Sequence, residues 1–115
     1  MRNAFQEELD SIHGTLVRMG QLVEESMTSA TKALLEPNLE LAQKIIKEDD
    51  TIDDMQHELD ARTMLIIARQ SPVAGDLRTL VTSLRMSADL ERMGDMAHHI
   101  AKLARMRYPN CAVPA

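Results

Sequence analysis

Residues 73–99 read VAGDLRTLVTSLRMSADLERMGDMAHH. Val73, Leu77, Leu80, Val81, Leu84 and Ala88 fall on one face when each residue advances about 100°. Glu91 and Asp95 continue the middle of that face. His98, His99 and Lys102 flank or follow it toward Met106. The spacing predicts one long helix whose first half is a core helix and whose second half carries polar chemistry. An ionised carboxylate on a buried stripe is too costly to keep unpaired, so this pair needs a metal, basic partners or solvent.

Upstream, Gln70-Ser71-Pro72 is a break and restart: Ser71 suits an N-cap and Pro72 the first helical position. Before it, a second helix is expected from Leu39 to about Arg69. Its broad apolar face holds Leu41, Ala42, Ile45, Ile52, Leu59, Thr63, Ile66 and Ile67. An acidic cluster occupies its middle, with Asp49 and Asp53 on the edge of the stripe. Asp50, Asp54 and Glu58 point outward, as a solvated face would. Glu36-Pro37-Asn38 stops the helix before that, because Pro disfavours helical geometry in the preceding residue and Asn38 can cap the next start. From Asn3 to about Leu35, Phe5, Leu9, Ile12, Leu16, Met19, Val23, Met27, Ala30 and Leu34 recur every three or four positions. That segment is a helix of roughly 45 to 50 Å at 1.5 Å per residue. Gly14 and Gly20 sit beside its stripe, where they would permit close helix packing. Downstream, Tyr108-Pro109-Asn110 ends the third helix, and residues 108–115 read as a tail or linker beyond a bundle spanning 1–107.

Short turns force neighbouring helices antiparallel, so the expected fold is all-α, an antiparallel three-helix bundle of long helices. Asp53 lies eighteen residues before Ser71 and Glu91 nineteen after Pro72. Both therefore sit roughly 27 to 29 Å from the turn. Asp49 and Asp95 match one turn further out. Two carboxylate pairs at i,i+4 spacing should meet at one level of the second and third helices.

Composition bounds what such a site serves. The 115 residues are 44% hydrophobic with one Tyr, one Phe and no Trp, so the core is aliphatic. Four Gly and four Pro leave material for few turns. A net charge of −5 opposes nonspecific binding to nucleic acid or anionic lipid and suits cations or a basic partner. The single Cys111 rules out an internal disulfide framework and suits a reducing compartment. No stretch is long enough to span a bilayer, and the acidic, polar N-terminus does not read as a signal peptide.

Asp49, Asp53, Glu91 and Asp95 together make a hard-oxygen site suited to iron, manganese, magnesium or calcium and poorly suited to a structural zinc. The alternative is that Arg62, Arg92 or Lys102 neutralises Glu91 and Asp95, or that a further domain covers them. The Glu-x-x-His pattern of di-iron bundles is absent, although Asp95 and His98 stand at i,i+3. His98 and His99 read as surface residues, and His13 and His57 have no constellation. No Ser, Cys or glycine-rich loop is placed for nucleophilic or phosphate chemistry. The nine Met read as flexible packing or an adaptable interface.

The stretch Ala68-Arg69-Gln70-Ser71-Pro72-Val73-Ala74-Gly75-Asp76-Leu77-Arg78, followed by Asp89-Leu90-Glu91-Arg92-Met93-Gly94-Asp95, resembles the PhoU family of bacterial phosphate-uptake regulators. The likeness extends through Asp49-Asp50-Thr51-Ile52-Asp53 and essentially the whole chain. It implies tandem three-helix repeats whose Glu/Asp-x-x-x-Asp motifs bind metal, iron, manganese, magnesium or zinc. Asp49 with Asp53, and Glu91 with Asp95, match those motifs. The resemblance implies a cytoplasmic, non-enzymatic regulator that restrains phosphate uptake and phosphate-starvation signalling. It would link the phosphate ABC transporter to a sensor histidine kinase, reaching the membrane through these partners only. This chain holds one repeat where the family usually has two. It is thus expected to be the N-terminal half of a longer protein, with an apolar face that self-association into a homo-oligomer would cover. The competing readings from the residues are a carboxylate-bridged metalloenzyme and a purely structural helical adaptor.

Overall fold

Each helix buries residues at spacings of three and four, with one step of seven in the second and third helices, the 3.5-residue period of coiled coils. The computed structural model describes residues 4–70 and 73–111. Helix α1 (Ala4–Leu35) buries Leu9, Ile12, Leu16, Met19, Val23, Ser26, Ala30 and Ala33. Helix α2 (Leu39–Gln70) buries Ala42, Ile45, Asp49, Ile52, Leu59, Thr63 and Ile66. Helix α3 (Ala74–Arg107) buries Leu80, Ser83, Ser87, Gly94, Ala97, Ala101 and Ala104. Every helix packs on both others in an antiparallel bundle measuring 57 × 21 × 19 Å. The described residues contain no strand, and no helix among them is long and apolar enough to cross a membrane.

The first turn forms as its chemistry dictates. Asn38 caps α2, its Oδ1 accepting from the Leu41 N–H at 3.0 Å and its carbonyl from the Ala42 N–H at 3.1 Å. The second turn departs from expectation: α3 starts at Ala74 behind an extended Val73 with no side-chain cap. Ser71 and Pro72, expected as N-cap and first helical residue, lie outside the described residues. At the other end Cys111 lies against α1, its Sγ 3.4 Å from the Leu35 carbonyl oxygen.

The face that α3 buries is not the expected one. Val73 is 71% exposed, Leu77 39% and Val81 36%, while small residues line the seam. The buried face is rotated by roughly a quarter-turn from the apolar stripe. Ser, Gly and Ala let helix backbones approach closely, and the buried hydroxyls find partners within α3 and across to α2: Ser83 donates to the Thr79 carbonyl, and Ser87 lies within hydrogen-bond distance of the Leu84 carbonyl at 3.0 Å and of Asp60 Oδ1 on α2 at 2.9 Å. The glycines expected to permit close packing are also not the ones that do so. A Cβ on Gly14 or Gly20 would meet open space, whereas on Gly94 it would stand 3.1 Å from Ile52 Cδ1.

The core is divided along its length. Large aliphatic residues from Leu9 to Val23 pack with Ile52, Leu59, Ile66 and Leu80. A second cluster is built from alanines around Ile45. Between the two, each helix places a polar or missing side chain: Ser26, Asp49 and Gly94 are all buried. That layer positions the site.

Candidate metal centre

Asp49 follows Ile45 and precedes Ile52 on the buried seam of α2, so the helical period itself carries its carboxylate inside. Asp53, one turn on, is half-buried beside it, and Asp50, Asp54 and Glu58 are exposed as their wheel positions require. On α3, Glu91 and Asp95 lie at the edge of the seam, both half-buried. Gly94 brings the helices together there: a Cβ on it would stand 3.1 Å from Ile52 Cδ1, with Asp49 Oδ1 in ordinary contact at 3.7 Å.

The matched distances from the turn do bring the two pairs level. Asp49 holds its proton more tightly than an ordinary carboxyl, first because it is buried, and then because Asp53 and Asp95 repel its charge. The His98 imidazole opposes that shift without reversing it. Glu91 is also raised, by burial first, by a hydrogen bond shared with the Asp53 carboxyl, and by the charges of Asp53, Asp95 and Asp49. Glu91 thus feels the other three carboxyl groups, and Asp49 feels Asp53 and Asp95. Like charges this close, in a partly buried layer, disfavour full ionisation of Asp49 and Glu91.

None of the expected basic partners is supplied. Arg62 points to α1, donating to Ser11 Oγ at 2.9 Å and Thr15 Oγ1 at 2.8 Å. Arg92 turns outward to Asp89 at 3.2 Å. Lys102 makes no ion pair with these carboxylates among the described residues. The neutralising role considered for these side chains is therefore not theirs.

A histidine stands beside the buried carboxylate instead. His98, read from sequence as a surface residue, is only 16% exposed at its side chain and sets Nδ1 3.0 Å from Asp49 Oδ2. The contact is close but poorly aligned, so Nδ1 is buried without a hydrogen-bond partner, as is Asp49 Oδ1. The i,i+3 relation of Asp95 and His98 was the one signal of it in the sequence. His99, by contrast, is an exposed residue touching Asp95 at 3.3 Å.

Among the described residues, no three His, Cys, Asp or Glu side chains converge on one point at ligand distances. The arrangement is a set of facing pairs, Asp49 with His98 and Asp53 with Glu91, rather than a preformed cage. Its donors nonetheless fit a cation. They comprise four carboxyl groups and an imidazole, and one of the four, Asp49, is nine-tenths buried with one oxygen unpartnered.

A family model of the PhoU domain matches residues 16–104. The phosphate-specific transport system accessory protein PhoU homolog 2 of Mycobacterium tuberculosis is 40% identical over 114 residues, covering 99% of this chain and 54% of the relative. The PhoU homolog of Clostridium acetobutylicum is 42% identical over 102 residues, covering 88% and 47%. The crystal structure of PhoU from Pseudomonas aeruginosa superposes with a TM-score of 0.86 at 36% identity, covering 89% of this chain and 49% of that one. The chain spans about half the length of the curated relatives it matches.

Proposed function

Because the chain belongs to the PhoU family, we propose that it is a non-enzymatic regulator of phosphate uptake, acting in the cytoplasm as an accessory to a phosphate ABC transporter. Family membership carries this reading, together with relatives named as accessory proteins of phosphate-specific transport. The finer role is an adaptor between that transporter and a sensor histidine kinase that holds phosphate-starvation genes repressed when phosphate is plentiful. Contact with the membrane is through those partners.

The second part of the proposal is that Asp49 and Asp53 on α2, with Glu91 and Asp95 on α3, hold a divalent or ferric ion: iron, manganese, magnesium or zinc. The unpartnered, buried Asp49 Oδ1 and the mutual repulsion of the four groups support it. When bound, the ion supplies the positive charge that the missing Arg and Lys partners do not. Asp49 and Asp53 then hold the α2 side of the seam and Glu91 and Asp95 the α3 side, so the polar layer ties the two helices instead of pushing them apart. Exposed apolar residues along α3, Met86, Met93, Met96 and Leu103, support association with a further copy of the chain.

Deletion of the gene tests the regulatory reading. Phosphate-starvation transcripts should rise in high phosphate, and the wild-type gene should restore repression. Unchanged repression in the deletion strain would sink the reading. Complementation by Glu91→Gln with Asp95→Asn separates the two parts, because full repression by that variant removes the metal from the mechanism and leaves the regulator.

A further inference from the structure

Resting on the metal-centre reading above, we propose that His98 is a fifth ligand, coordinating through Nδ1, and that it sets which metals the site retains. The observation is two unpartnered buried atoms on side chains that touch across α2 and α3. His98 Nδ1 and Asp49 Oδ1 are both buried without hydrogen-bond partners, and Nδ1 lies 3.0 Å from the other Asp49 oxygen.

No protonation state of His98 by itself explains that contact. With a proton on Nδ1, whether in the neutral ring or in the imidazolium, a ring this close to a carboxylate should turn its N–H onto the oxygen, and the contact is not aligned. With the proton on Nε2, a nitrogen lone pair faces carboxylate lone pairs in a buried layer, which is repulsive. A cation bound by His98 Nδ1 and by the Asp49 carboxylate would give the nitrogen lone pair and the buried negative charge a common partner.

The backbone holds the pair in place. Gly94 lies one turn before His98 on α3, and its missing Cβ lets α3 close on Ile52 of α2, whose Cδ1 would stand 3.1 Å from that Cβ, beside the Asp49 carboxylate. His98 itself is held by burial, whereas the neighbouring His99 is exposed and touches Asp95 from the solvent side. The consequence is a change of preference. Carboxylates alone suit Mg²⁺, Ca²⁺ and Mn²⁺, and an imidazole nitrogen moves the site toward Zn²⁺, Fe²⁺ and Cu²⁺.

Competition titrations of the 115-residue chain with Zn²⁺ and Mn²⁺ test this, beside His98→Gln, His98→Cys and the exposed control His57→Gln. His98→Gln should lower zinc affinity about tenfold or more and manganese affinity less than about threefold, while His98→Cys, which keeps a soft donor, should retain zinc. Pulsed EPR of the Cu²⁺-loaded chain should show an imidazole nitrogen coupling that His57→Gln keeps and His98→Gln loses. An unchanged zinc-to-manganese ratio in His98→Gln, or a nitrogen coupling that survives it, would overturn the assignment while leaving the carboxylate centre standing. Equal loss of both metals in His98→Gln and His98→Cys would assign the effect to packing and also overturn it. If the wild type binds neither metal, the metal centre itself falls and His98 with it.

Discussion

Asp49 on α2 meets His98 on α3 at 3.0 Å because Gly94, one turn before the histidine, leaves no side chain between the helices. The approach places a carboxylate in a layer where two apolar clusters meet, and where neither Arg62 nor Arg92 reaches it. The polar layer is thus a cost that packing imposes on the metal-free bundle. Its consequences can be measured one residue at a time.

Gly94→Ala should destabilise the chain. Ala gains up to about 1 kcal/mol of helix propensity. Against that, the new Cβ would stand 3.1 Å from the Cδ1 of a fully buried Ile52, and overpacking of this kind costs about 1–3 kcal/mol. A net loss of about 1 kcal/mol is expected in urea unfolding, and Ile52→Val, which removes Cδ1, should reduce it. Gly14→Ala faces open space and should stabilise by about 0.5–1 kcal/mol. If both glycine variants gain stability, close approach at Gly94 is not what the seam requires.

Acid should favour the metal-free fold as far as Asp49 and Glu91 are concerned. Both have pKa values raised by folding, so the folded chain binds their protons more readily than the unfolded one. Their contribution to stability is fully present below the unfolded carboxyl range and is lost as pH rises through the raised folded values. Glu91→Gln should therefore raise the Tm of the metal-free chain at pH 7 by a few degrees, at about 4 °C per kcal/mol relieved. The advantage should vanish near pH 3, where Glu91 is protonated in either state. A Gln variant less stable than wild type at pH 7 would show that Glu91 is paired as a carboxylate after all.

Metal should add stability only where the carboxylates can hold it. At a free concentration about one hundred times Kd, a ligand confined to the folded state adds about 2.7 kcal/mol. Calorimetry with Mn²⁺ or Zn²⁺ should show that gain for wild type and little of it for Glu91→Gln with Asp95→Asn. Equal metal content in both purified proteins would leave only an acidic surface.

The turn between α1 and α2 offers a control remote from the centre. Asn38 is exposed, and its Oδ1 accepts from the Leu41 N–H. Asn38→Ala should lose about 1 kcal/mol of stability and leave metal affinity unchanged. Loss of metal by this variant would mean that the cap, and not only the four carboxylates, controls the polar layer.

What the amino-acid order determined by itself was everything of short range along the chain. The alternation of apolar positions by three and four, the Pro37-Asn38 stop and the Tyr108-Pro109 end define three helices whose limits lie within a residue or two of expectation, because those signals act on the local backbone. The level at which Asp49, Asp53, Glu91 and Asp95 meet follows from the same arithmetic, since the rise per residue is constant in antiparallel helices.

Tertiary structure alone decided which face of α3 turns inward. Val73, Leu77 and Val81 are as apolar as any core residue and remain exposed, while Ser83, Ser87, Gly94 and Ala97 are buried. Hydrophobicity ranks side chains singly, but a seam between three helices is chosen by how near their backbones come, and small residues permit the nearer approach. His98 was hidden for the same reason: the quarter-turn that buries Gly94 carries the imidazole inward onto Asp49, and only the partner helix specifies that rotation.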